Sequence, residues 1–186
     1  MDDRTQRFDA LMRCLLYPVS QSAAHAREAA DLWTEAAPEL SERLTALAAW
    51  LGCTSLGEAE ERYTRVFDLN PTCSLHVGYH LFEDTYARGA LLAGLVGERN
   101  RVGLIAVTND LPDFLPEVLR LLARLSDDDA RELAASIVLP ALIKIRTALS
   151  EEDTPWVRLL EPLAEVISDE LGVEAAPAPR EEVPHA

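Results

Sequence analysis

Cys73, His76 and His80 are the residues whose types and spacing come nearest to chemistry. On a helix, His76 and His80 would share one face, and with Cys73 three residues before His76 a metal site is conceivable. A zinc site needs further ligands and a matched outer shell, and the neighbouring sequence supplies neither. Cys73 and His76 could also be drawn as a thiolate and its base, but no third group stands nearby to orient them. The reading is therefore a partly buried thiol beside a polar loop, with no metal and no cofactor. Asp68, Glu83 and Asp84 form a second set that could be imagined as paired acids. Carboxylates at helix ends more often serve as caps or ion-pair partners, and acid–base work also needs a tuned pKa and a substrate pocket. The sequence holds no phosphate-cradling glycine loop, dinucleotide fingerprint, nucleophile elbow or paired-cysteine pattern. It reads as a protein that is not an enzyme.

Charge narrows the partners. Lys and Arg total 17 against 32 Asp and Glu, a formal net charge of -15. Such a field repels phosphate backbones and attracts basic partners, which argues against nucleic acid. Cys14, Cys53 and Cys73 are odd in number and widely separated, which fits free thiols in a reducing compartment. The N-terminus lacks a basic stretch followed by an apolar core, and no apolar run approaches membrane-spanning length. The expectation is a cytoplasmic protein without membrane insertion.

The elements that must position these residues are helices. Ala, Leu, Glu and Arg dominate, β-branched runs are scarce, and 8 glycines are few for 186 residues. Asp3 with Gln6 opens a first helix whose face is Phe8, Leu11, Met12 and Leu15, running to Tyr17-Pro18. A second helix is predicted over Ser22 to Glu35, and a third carries Leu40, Leu44, Leu47 and Leu51. Ser55 with Glu58 caps a fourth, whose stripe of Leu56, Ala59, Tyr63 and Val66 ends near Asn70-Pro71. From about Leu81 to Arg101, apolar residues on two sides predict one central, well-covered helix. Gly103 to Asp110 reads as a loop, with helix resuming near Phe114. Ser126 and Asp129 open a long helix that Pro140 should kink. Thr154 and Pro155 start a last helix, bent at Pro162 and ending before Gly172. Residues 1–172 form one all-α domain on this reading, and 173–186, acidic and rich in proline, form a disordered tail.

Three fragments in order carry a resemblance: Tyr63-Thr64-Arg65-Val66-Phe67-Asp68, then Leu81-Phe82-Glu83-Asp84 with Arg88-Gly89, then Asp110-Leu111-Pro112-Asp113-Phe114-Leu115-Pro116. Over roughly Glu61 to Leu125 the chain resembles the assembly chaperones of respiratory nitrate reductase, the NarJ branch of the TorD/DmsD-like family. The resemblance implies a single helical bundle that binds the apo catalytic subunit of a molybdenum-containing oxidoreductase, often through its N-terminal segment. It also implies that the subunit is thereby kept competent for cofactor insertion. By matching position it implies that Tyr63, Phe67, Asp68, Asp84, Arg88, Leu111, Pro112 and Asp113 shape or line a partner-binding groove. Asp110, where relatives often carry glutamate, and His76, in the connection between the matched helices, join that set.

The residues alone also permit plainer roles: Tyr63 and Phe67 as core, Gly89 for close helix packing, Arg88 with Asp84 as an i, i+4 ion pair. A helical adaptor unrelated to molybdoenzymes stays open as an alternative. The chaperone reading expects a monomer or weak dimer with an apolar groove for a client segment and carboxylates for its arginines.

Overall fold

Ser55, Ser126 and Thr154 each begin a helix by accepting a hydrogen bond from the backbone N–H three residues on, that of Glu58, Asp129 and Val157, at 3.3 Å in each case. These bonds satisfy amides that the first helical turn would leave without partners. The computed structural model describes residues 3–149 and 154–174. Within them the chain is helical and contains no strand, only an isolated antiparallel bridge between His76 and Phe114. The acidic stretch 151–153 and the proposed tail beyond Glu174 lie outside the described residues.

In chain order, α1 spans Asp3–Cys14, α2 Ser22–Trp33, α3 Pro38–Cys53 and α4 Leu56–Tyr63. Pro38 is the first residue of α3, where its missing N–H costs nothing. α4 runs into a π turn over Thr64–Asp68, closed by Leu69 N–H on the carbonyl of Thr64 at 2.9 Å. A short 3₁₀ turn, Pro71–Cys73, leads to α5, Val77–Phe82, and then α6, Tyr86–Arg101. After the loop come α7, Leu115–Leu122, and α8, Asp127–Leu133, which continues through a π turn, Ala134–Val138, into α9, Leu139–Ala148. α10, Pro155–Leu160, and α11, Leu163–Leu171, close the domain, with Gly172 left-handed at φ 63° as the C-terminal stop.

α2 packs on α3, α1 packs on both α2 and α7, and α10 packs on α3. The core runs through all of them. Phe8, Leu11, Trp33, Leu44, Leu119 and Trp156 are almost wholly buried, each such side chain contributing roughly 1.5–3 kcal/mol from lost apolar exposure. Trp156 and Trp33 also place their indole N–H groups on the carbonyls of Cys14 and Arg7, at 3.1 and 3.2 Å, so neither buries an unmet donor.

Four expectations need correction. Leu81 to Arg101 is two helices, because Glu83 adopts φ 50° and breaks the path. Nor is α6 central: of its residues only Leu95 is buried, and Tyr86 is fully exposed. The pattern misled because one of its two faces, Phe82, Tyr86, Gly89 and Ala93, counts Gly89 and Ala93 as apolar although they offer almost no side-chain area. Gly89 meets nothing within 4 Å of a virtual Cβ, so it serves no close packing. The last helix is divided at Pro162 into α10 and α11, whereas the helix from Asp127 continues to Ala148 through the π turn immediately before Pro140.

The glycine with a packing role is Gly78. A Cβ there would lie 2.7 Å from Asp113 Oδ2 and 2.8 Å from Leu91 Cδ2. The same substitution should therefore act with opposite sign at two sites. Urea unfolding of Gly78→Ala is expected to show a loss of about 1–3 kcal/mol from overpacking. Gly94→Ala, on the open face of α6, should gain about 0.5–1 kcal/mol.

Candidate functional site

Tyr63 anchors the site from α4. It is 2% exposed, its hydroxyl donates to the carbonyl of Leu15 at 2.8 Å, and its ring meets Tyr17, Phe67 and Trp156 edge-on with centroids 5.4, 4.9 and 5.5 Å away. Burial first, and then the charges of Asp68 and Asp110, push its phenol well above the ordinary range, so it stays a donor. The following π turn carries Phe67 and Asp68.

The opposite wall comes from two extended segments. Val77 N–H donates to the carbonyl of Asp113 at 2.9 Å and Leu115 N–H to that of Leu75 at 2.7 Å, which sets His76 against Phe114, ring centroids 5.4 Å apart. The loop before α7 supplies Thr108 and Asp110. Between these elements lies a pocket of about 560 Å³, lined by Leu16, Tyr17, Tyr63, Phe67, Asp68, Ser74, Leu75, His76, Thr108, Asp110 and Phe114. Its walls are aromatic and its edge carries two carboxylates. Burial raises the Asp68 carboxyl above its ordinary range and Asp110 adds to this, while a hydrogen bond from Thr64 and the nearby His76 work against it. Among the described residues no Arg or Lys pairs with Asp68 or Asp110, although Arg88, Arg101, Arg120 and Arg124 all hold carboxylates elsewhere.

Of the ten residues expected to bind a partner, Tyr63, Phe67, Asp68, His76 and Asp110 come together in this pocket. Asp84, Arg88 and Asp113 do not line it. They form an ion-pair cluster in which Arg88 Nε donates to Asp113 Oδ2 at 2.9 Å, Nη2 to Oδ1 at 3.4 Å, and Nη1 to Asp84 at 2.8 Å. The guanidinium also lies 5.5 Å from the centre of the Tyr79 ring. Asp113 is wholly buried while Asp84 is exposed. Leu111 is exposed and Pro112 half-buried in the turn closed by Phe114 N–H on the carbonyl of Leu111 at 3.0 Å. Sequence reasoning missed Leu16, Tyr17, Ser74, Leu75, Thr108 and Phe114 as lining residues. Phe114 and Tyr17 offered a signal, an aromatic beside a proline-marked break; the others offered none.

The Cys73, His76 and His80 set does not converge. Cys73 is buried and takes a hydrogen bond from the Asn70 amide at 3.1 Å, His76 precedes α5, and His80 Nε2 donates to the carbonyl of Ser74 at 2.6 Å. That bond requires the proton on Nε2. Among the described residues no three His, Cys, Asp or Glu side chains are grouped to hold a metal ion. Also among them, no helix is long and apolar enough to cross a membrane.

The helical scaffold thus presents an aromatic pocket whose two carboxylates, Asp68 and Asp110, have no Arg or Lys partner among the described residues. Residues 33–161 match the nitrate reductase delta subunit family, and the chain belongs to it. The chain is 29% identical over 118 residues to the probable nitrate reductase molybdenum cofactor assembly chaperone NarW of Escherichia coli (strain K12), a match covering 63% of this chain and 51% of that one. It is 26% identical over 134 residues to the nitrate reductase molybdenum cofactor assembly chaperone NarJ of the same strain, covering 69% and 56%. The chain thus spans about half the length of these relatives. Both are named as chaperones and neither as an enzyme, and the resemblance read over Glu61 to Leu125 lies within the matched region.

Two stability measurements test the site. Removing the charge of the buried partner in Asp113→Asn should cost about 3–5 kcal/mol in urea unfolding, because Arg88 keeps only a solvent-exposed carboxylate. Asp84→Asn should stay within about 0.5 kcal/mol of the parent. For His80, burial lowers the imidazole below its ordinary value of 6.5, with Lys144 and His76 acting the same way. The unfolded chain then binds a proton that the folded chain refuses, so this contribution is present above pH 6.5 and is lost as pH falls through the folded value. His80→Gln is expected to flatten the fall in stability between neutral and mildly acidic pH, measured as urea midpoints.

Proposed function

We propose that this chain is a system-specific chaperone that binds the apo catalytic subunit of a nitrate reductase-like molybdenum oxidoreductase and keeps it competent for cofactor insertion. It is not an enzyme on this reading, and it needs no cofactor of its own. The single observation that carries the proposal is the pocket of Tyr17, Phe67, His76 and Phe114 edged by Asp68 and Asp110, two carboxylates without an Arg or Lys partner among the described residues. Such a pocket suits an apolar side chain of a client segment with a flanking arginine or lysine held at the edge. The family supports the choice of client, since the relatives are named for nitrate reductase and its molybdenum cofactor. The client segment we favour is the N-terminal one, and we favour a cytoplasmic encounter before the enzyme is complete.

Aromatic and aliphatic contacts should supply most of the affinity, while the carboxylates orient and speed the encounter. Tyr63 is a poor probe of this, since its ring and hydroxyl are core: Tyr63→Ala would cost about 3–5 kcal/mol of stability whatever its effect on binding. Asp68→Asn with Asp110→Asn, and separately Tyr17→Ala, are the informative variants. Pull-down from native cells with the tagged parent should recover an apo molybdoenzyme catalytic subunit, identified by mass spectrometry. The double carboxylate variant should recover several-fold less and show a weaker salt dependence of association. Recovery of unrelated partners alone would point instead to a helical adaptor.

A further inference from the structure

Glu117 lies in the first turn of α7 with its side chain 2% exposed, and it does not line the pocket. A buried carboxylate is retained only where its oxygens are met, and here the partners come from the loop that borders the pocket. Oε1 accepts from Val107 N–H at 2.7 Å, from Thr108 N–H at 2.9 Å and from the Thr108 hydroxyl at 3.2 Å. Arg120 Nη1 spans the same turn, donating to Glu117 Oε2 at 3.1 Å and to the carbonyl of Ile105 at 2.9 Å. Four bonds from the 105–108 segment converge on this one pair. Thr108 Oγ then accepts from Asp110 N–H at 3.3 Å, which passes the restraint on to the carboxylate at the pocket edge.

The loop so fixed shows an unusual face to solvent. Ile105 is 82% exposed, Val107 55% and Leu111 47%, while Thr108 and Asp110 of the same loop line the pocket. The clamp holds the loop by its backbone at 105, 107 and 108 and leaves these aliphatic side chains in solvent. We propose that Glu117 and Arg120 are positioning residues that hold Ile105 and Val107 out as an apolar lip, which Leu111 extends from the same loop, and that the apolar side of the client segment packs on this lip while its cation meets Asp68 and Asp110. The inference rests on the chaperone reading above and specifies which part of the surface reads the client. The occupant is an amphipathic segment with one uncharged face and at least one arginine or lysine, because the lip offers no charge and the adjoining edge offers two unpaired carboxylates.

The test uses the full chain and the purified apo catalytic subunit of nitrate reductase from the same source, titrated by a fluorescence or interferometric binding assay. Ile105→Ser with Val107→Ser alters exposed groups only, so the urea midpoint should not move, while the dissociation constant should rise by about tenfold. Glu117→Ala should speed hydrogen exchange at the Val107 and Thr108 amides and weaken binding. Glu117→Gln, which keeps an acceptor oxygen for both amides, should restore most of the protection and most of the affinity. A purely structural role for Glu117 would give a stability loss without faster exchange confined to this loop. Parent-like binding by the Ile105/Val107 variant overturns the lip and leaves the chaperone reading standing. Absence of binding by the parent chain overturns that reading and the lip together.

Discussion

The ion pair between Asp113 and Arg88 is the constraint on which the site depends. Asp113 is wholly buried, and taking a carboxylate out of water is costly unless its oxygens are met. Arg88 meets both oxygens, and the Asp113 carbonyl at the same time accepts from Val77 N–H. One residue therefore fastens α6 through its side chain and the 75–77 segment through its backbone. Gly78 completes the arrangement, since any side chain there would occupy the space of the carboxylate. The consequence appears one residue on. With Asp113 turned inward, Phe114 lies opposite His76, and the two become the far wall of the pocket.

The acidic residues divide accordingly into two kinds. Asp113 and Glu117 are buried and fully engaged by arginines and backbone amides, so their charge is consumed in holding loops. Asp68 and Asp110 stand at the pocket edge without an Arg or Lys partner among the described residues, and their mutual repulsion helps to raise the Asp68 carboxyl. A cation placed between them would relieve that repulsion, so the edge has an electrostatic reason to receive one. The net charge of -15 extends the same preference over the whole surface, where it guides encounter more than it tightens binding.

Local signals in the sequence were legible where the physics is local. Ser55, Ser126 and Thr154 announce helix starts because a cap bond reaches only three residues. Tyr63, Phe67 and Asp68 were found because they sit on one turn of chain, and the ordered fragments from Tyr63 to Pro116 led to the family in which the chain falls. What was hidden depends on distance in sequence. Nothing near Gly78 indicates that a carboxylate 35 positions later needs its missing side chain. Nothing in Glu83 indicates a positive φ, a conformation that glycine or asparagine would have signalled. Glu117 stands in a strongly apolar helix and reads as an ordinary first-turn acid, whereas its partners lie in the preceding loop.

The misread α6 shows why Arg88 had to be more than a surface ion pair. A 16-residue helix with one buried residue and three glycines on open faces has little apolar burial to hold it, and each such glycine weakens it by roughly 0.5–1 kcal/mol relative to alanine. Leu91 and Leu95 give it partial purchase, and Arg88 in its first turn ties it to the wholly buried carboxylate of Asp113. The sequence pattern Asp84 to Arg88 suggested an intrahelical pair, and that pair is present, but its exposed carboxylate makes it the lesser of the two. The weight falls on Asp113. Because that same residue sets the wall of the pocket, the attachment of a sparsely buried helix and the shape of the pocket are one structural fact, reached from the side chain and the backbone of a single residue.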